Sequence, residues 1–119
     1  MKEEDLKKRT KNFALRILKL VDALPNTVAG KAVANQLVRS GTSVSANYRA
    51  ACRGRSKAEF ISKPGIVEEE ADESAFWIEL IIEGHLLRPK LVEPLLHEAN
   101  EIAKIMAASR LSISKNLRK

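Results

Sequence analysis

A chain of 119 residues with 45% apolar residues is long enough and apolar enough to bury one core, which excludes a disordered polypeptide. A single cysteine excludes an internal disulfide and a cysteine cluster for metal, and Glu79 and Glu83 interrupt the longest apolar stretch, so no segment spans a bilayer. The net charge of +6 is unevenly placed: residues 1–63 hold 14 Lys/Arg against 5 Asp/Glu, and residues 64–119 hold 7 against 10.

A basic half attracts nucleic acid or an acidic partner, or else supplies solvated faces and internal ion pairs. Met1-Lys2 followed by the acidic Glu3-Glu4-Asp5 predicts no secretory leader, and with it a cytoplasmic protein.

Strand signals are nearly absent and helical periodicity runs throughout, so one all-α domain over residues 1–119 is expected. The first helix is expected over about Asp5–Leu24, with Leu6, Phe13, Ile17, Leu20, Val21 and Leu24 as its apolar stripe. Pro25 stops it. Asn26 or Thr27 caps the second helix, expected over 27–53, where Val33, Leu37, Val44, Tyr48 and Ala51 repeat at helical spacing. Its middle, Ser40 to Ala46, is made of small or poor helix formers. Gly41 alone costs about 1 kcal/mol against alanine, so packing must hold this stretch, and small side chains let a neighbour approach.

Gly54 fits a left-handed helix end, and Ser56-Lys57-Ala58-Glu59 reads as a capping box. The third helix is expected over 57–84, with Phe60, Pro64, Val67, Ala71, Ser74, Ile78, Ile81 and His85 in heptad register. Pro64 lies past the first turn, where proline costs roughly 3 kcal/mol, so a kink or break is expected near Lys63–Gly65. Further on, Phe76, Trp77, Ile78, Leu80, Ile81 and Ile82 leave only the Glu79/Glu83 line polar. A helix apolar on most of its circumference is buried on more than one side. Phe76, Trp77 and Leu80 are therefore candidates for a contact between subunits, with one large core end as the alternative. Pro89 opens a fourth helix, expected over 89–114, with Leu91, Leu95, Ala99, Ile102, Met106 and Ile113 as its stripe. Short connections between long amphipathic helices predict an antiparallel up-down-up-down four-helix bundle.

In an antiparallel pair folded at Gly54–Arg55, facing residues have numbers summing to about 110, because both helices rise equally per residue. Arg39 then faces Glu70 and Ala71, and Gln36 faces Ser74. An Arg39–Glu70 pair is expected to set register rather than add net stability, unless the acids face water.

Three stretches together carry a resemblance: Ser43-Val44-Ser45-Ala46-Asn47-Tyr48-Arg49, then Arg55-Ser56-Lys57-Ala58-Glu59-Phe60-Ile61, then Ile66 through Ser74 with its Glu68-Glu69-Glu70 run. From about Phe13 to Ile105 the chain resembles the four-helix bundle proteins encoded in ribosomal RNA intervening sequences. The resemblance implies an up-down bundle that assembles as a homo-oligomeric ring, commonly a pentamer, with a mostly uncharacterised function. A related group, the accessory proteins of diversity-generating retroelements, is similar in fold and works with a reverse transcriptase and nucleic acid. Pro64 departs from the family pattern, in which a helix-compatible residue is usual.

Catalytic patterns are missing. His85 and His97 have no partner at metal spacing, Cys52 has no evident base, and the carboxylates of Glu68–Glu73 lack the Glu-x-x-His of a di-metal bundle. The expectation is a non-enzymatic protein without cofactor or metal. Anion binding is better supported. Arg49, Arg53, Arg55, Lys57 and Lys63 crowd one corner, Lys7, Lys8 and Lys11 (with Arg9) extend it, and free amides at a helix start favour phosphate. The expected partner is RNA or a nucleoprotein. The alternative is a self-assembling interaction scaffold with no nucleic acid, its basic face meeting an acidic protein.

Overall fold

The computed structural model describes the backbone of residues 3–53 and 57–117, with side chains at residues 3–53, 63–112 and 115. Four helices follow in order: α1 (Glu3–Asp22), α2 (Val28–Cys52), α3 (Lys57–Glu83) and α4 (Pro89–Leu117). α1 packs on α2, α2 on α3 and α3 on α4, while α4 closes more lightly on α1 and the backbones of diagonal helices stay apart. This neighbour pattern is that of an up-down-up-down bundle. The molecule is a rod of 51 × 22 × 21 Å, and no strand occurs among the described residues.

Local chemistry sets the helix ends. Glu3, Glu4 and Asp5 occupy the first turn of α1, where carboxylates favour the helix dipole. α1 ends at Asp22 because the amides of Ala23 and Leu24 tighten onto the Leu20 and Val21 carbonyls at 3.0 and 3.2 Å before Pro25. Thr27 is the cap of α2: its hydroxyl accepts from the Gly30 amide at 3.0 Å. Gly30 sits against the Pro25 carbonyl with no room for a Cβ.

α3 ends in a two-bond lock. The Leu86 amide bonds the Ile81 carbonyl at 2.9 Å and the His85 amide bonds the Ile82 carbonyl at 3.2 Å. His85 holds the left-handed position at φ 56, which glycine fills at lower cost. The expected break at Pro64 does not occur: α3 runs helical from Lys57 to Glu83, with Pro64 buried. The capping box at Ser56–Glu59 and the turn at Gly54 lie outside the described side chains.

The core follows one stripe per helix. Phe13, Ile17, Leu37, Val44, Val67, Ala71, Ile78, Ile81, Val92, Ala99 and Ile102 are fully buried. On α4 the expected Leu91 is exposed and Val92 takes its place. Leu91 and Val92 flank the stripe of Leu95, Ala99, Ile102 and Met106 on either side, and Val92 is the one the bundle covers. At Gly41 α1 and α2 approach closely: a Cβ there would stand 2.7 Å from Ile17 Cγ1. Opposite, Ser40 and Ser74 are both fully buried, and the Ser74 hydroxyl donates to Ser40 Oγ at 2.9 Å. No buried side-chain polar atom lacks a partner among the described residues. Small residues in mid-α2 thus serve two close approaches, one on each side.

Candidate nucleic-acid interface

Ion pairs tie three of the four seams. Between α2 and α3, Arg39 Nη1 donates to Glu70 Oε2 at 3.0 Å and Nη2 donates to Glu73. Trp77 Nε1 also donates to Glu73, at 3.3 Å. Between α3 and α4, Arg110 Nε donates to Glu68 Oε1 at 2.9 Å. Between α1 and α4, Arg9 grips Glu98 through two bonds of 2.7 Å. Carboxylates that accept these bonds hold the arginines above their ordinary pKa.

The α1–α2 seam has no interhelix ion pair among the described residues. A groove of about 520 Å³ opens there, with Lys7, Lys11 and Leu15 on one wall and Thr42, Arg49 and Arg53 on the other. Lys7 leans on Glu3 and Glu4 of its own helix, at 3.6 and 3.3 Å. Lys11, Arg49 and Arg53 are exposed and form no ion pair among the described residues. Thr42 and Thr10 turn their hydroxyl hydrogens to the Val38 and Leu6 carbonyls, at 2.6 and 2.8 Å. With both hydroxyl protons committed to the backbone, the threonines offer phosphate no donor, and the groove suits an anion through its cations alone.

The other sequence candidates fall elsewhere. Lys8 is exposed on α1 but does not line the groove, and Lys63 sits on α3, whose backbone stays apart from that of α1. Arg55 lies outside the described residues, and of Lys57 only the backbone is described. Arg9 turns away to α4. Tyr48 is buried, so it offers no open face for base stacking.

Beyond the end of the groove, a second and mostly apolar cavity of about 490 Å³ is lined by Leu6, Tyr48, Cys52, Pro64 and Met106. Burial raises the Cys52 thiol pKa, against a smaller opposing effect of Tyr48, which makes the thiol a poor nucleophile. Burial also raises the Tyr48 phenol, helped by Cys52. His97 is near Glu101, at 3.6 Å, on the surface of α4. No group of three or more metal-ligating side chains occurs among the described residues, and no described helix is long and apolar enough to cross a membrane.

Phe76 and Leu80 stand 50% and 37% exposed on α3, and Phe76 meets the half-buried Trp77 edge to face at 5.0 Å. Sequence reasoning missed the carboxylate sorting on this helix. Glu68, Glu70 and Glu73 turn into seams, whereas Glu69, Asp72, Glu79 and Glu83 are exposed without an ion pair among the described residues. Helical phase around Glu70 was the available signal.

Residues 2–108 match the family described as 23S rRNA-intervening sequence protein. The chain belongs to this family. It is also similar to the crystal structure of a protein of unknown function from the S23 ribosomal protein family of Bacteroides thetaiotaomicron VPI-5482. The two share 34% identity and a TM-score of 0.81, over 92% of this chain and 98% of that one. No curated protein matches the chain significantly. The family fold is the four-helix bundle seen here, and no activity is assigned to the family or to the Bacteroides protein.

Proposed function

We propose that this protein is a non-enzymatic, homo-oligomeric bundle that binds RNA, or a nucleoprotein through its RNA, along the α1–α2 groove. The observation that carries the reading is a seam with cations on both walls and no acid across it, in a molecule whose other three neighbouring seams are closed by ion pairs. Arg49 and Arg53 supply charge for phosphates, while the lack of an exposed aromatic in the groove argues for backbone binding without base reading. The names of the family and of the Bacteroides protein's family refer to ribosomal RNA or to the ribosome, which makes ribosomal RNA the first probe. Assembly repeats the groove and multiplies weak contacts.

The test is RNA affinity of the full chain against salt, by fluorescence anisotropy. Wild type is expected to bind at low salt with a steep negative salt slope, and Arg49→Glu with Arg53→Glu to weaken binding and flatten that slope by roughly two. No measurable RNA binding at low salt, or binding that the double variant leaves unchanged, overturns the proposal. The alternative, a self-assembling scaffold without nucleic acid, draws on the exposed Phe76 and Leu80.

A further inference from the structure

α1 and α3 lie on opposite corners of the bundle, with no close backbone approach, yet their outward faces match in spacing. On α1 the exposed line is Lys8, Lys11, Leu15, Leu18, Lys19 and Asp22. On α3 it is Glu69, Asp72, Phe76, Glu79, Leu80 and Glu83. Each is a stretch of one helix face, at three- and four-residue steps. Aligned on Leu15 and Phe76, the charges four and seven residues earlier are lysines on α1 and carboxylates on α3. The next positions offer Leu18 with Lys19 on one line and Glu79 with Leu80 on the other, so leucine meets leucine and lysine meets glutamate diagonally. Only Asp22 and Glu83, at the helix ends, place like with like.

None of the eight charged side chains on the two lines has an ion-pair partner within the chain among the described residues. The apolar centres are open as well: Leu15 is 57% and Phe76 50% exposed. An exposed large apolar group flanked by unpaired charge of one sign suits a partner with the same apolar centre and the opposite charge. The chain itself carries that partner.

We propose that the α3 stripe of one copy docks, helices parallel, on the α1 stripe of a second copy, with Phe76 and Leu80 against Leu15 and Leu18 and with Glu69 and Asp72 against Lys8 and Lys11. This rests on the assembly part of the proposed function and names its two surfaces. Because the surfaces differ, the contact is heterologous: it repeats from copy to copy, closing into a ring where the rotation allows and otherwise growing open-ended. Lys8 and Lys11 then belong to the contact between copies, and Arg49 and Arg53 remain for RNA.

The experiment is solution mass by light scattering after size exclusion, on the full 13.2 kDa chain, with circular dichroism as the check on folding. Wild type is expected at several times the single-chain mass. Lys8→Glu with Lys11→Glu, and separately Glu69→Lys with Asp72→Lys, are expected to run at single-chain mass with helicity retained. Combining all four substitutions restores assembly, and mixing the two double variants yields a joint assembly. Arg49→Glu with Arg53→Glu leaves the mass unchanged. A wild type that stays at single-chain mass overturns the assembly reading and this contact together. An assembled wild type whose mass ignores either reversal, or a fourfold variant that stays apart, overturns this contact alone. If the Lys8/Lys11 reversal abolishes RNA binding without changing the mass, those lysines belong to the RNA surface and the contact is overturned.

Discussion

The two sides of α2 handle charge in opposite ways. Toward α3, Arg39 is held by Glu70 and Glu73, and a pair of buried serines meets below it. Toward α1, Arg49 and Arg53 look across a groove at lysines. The same helix with the same residue type thus closes one seam electrostatically and leaves the other open. At the α1–α2 seam, cohesion comes from packing: Gly41 lets Ile17 approach where no ion pair is made. Charge that the fold uses is paired across a seam; charge that the fold leaves over is available to partners.

The largest expected effect attacks the seam held by packing alone. Gly41→Leu drives a branched side chain into the fully buried Ile17 and is expected to cost about 3 kcal/mol through overpacking, read as a lower urea midpoint with Trp77 fluorescence as the probe. Unchanged stability would mean that the two helices are free to separate there. The next test compares the arginines directly. Arg39→Glu sets a third carboxylate beside Glu70 and Glu73 and is expected to lower the urea midpoint. Arg49→Glu, which breaks no ion pair among the described residues, is expected to leave the midpoint in place or raise it by relieving repulsion from the lysines across the groove. Equal effects would erase the difference between the two sides.

A smaller gain is expected at the end of α3. His85→Gly relieves the left-handed backbone at φ 56 and should stabilise by about 0.5–1 kcal/mol, because strain relief outweighs the added freedom of glycine in the unfolded chain. A lower melting temperature would refute it. The smallest effect is with pH. Burial holds the Cys52 thiol above its ordinary 9.0 and the Tyr48 phenol above its ordinary 10.0. The unfolded chain releases these protons first, so this contribution is intact below about pH 9 and is lost as pH rises through the folded values. Urea midpoints from pH 8 to 10.5 should fall less steeply in Cys52→Ala than in wild type.

Much of the bundle was legible in the sequence because a helix core leaves a periodic trace. The stripes on α1, α2 and α3 could be read from Phe13 and Ile17, Val33 through Ala51, and Val67 through Ile81. The α4 stripe was read one residue out at its start, since Leu91 and Val92 are equally apolar and differ only in helical phase. At Pro64 the sequence suggested a kink or a break, and the helix is unbroken there, because propensity counts the lost hydrogen bond and not the burial that holds the helix together. The corner cluster was the least legible feature. The sequence put Lys63 and Lys8 in one patch with Arg53, Lys7 and Lys11, whereas the groove keeps Arg53 with Lys7 and Lys11 and leaves Lys63 and Lys8 out.

The sequence by itself determined four helices, their ends near Pro25, Thr27 and Pro89, and the opposite charge of α2 and α3, because each depends on residues within a few turns of one another. Only the tertiary structure decided which charges are spent inside the bundle and which face outward. That division depends on the rotation of each helix about its axis and on what stands across the seam: Glu70 turns toward Arg39 while Glu69, one residue and about 100° away, turns to solvent.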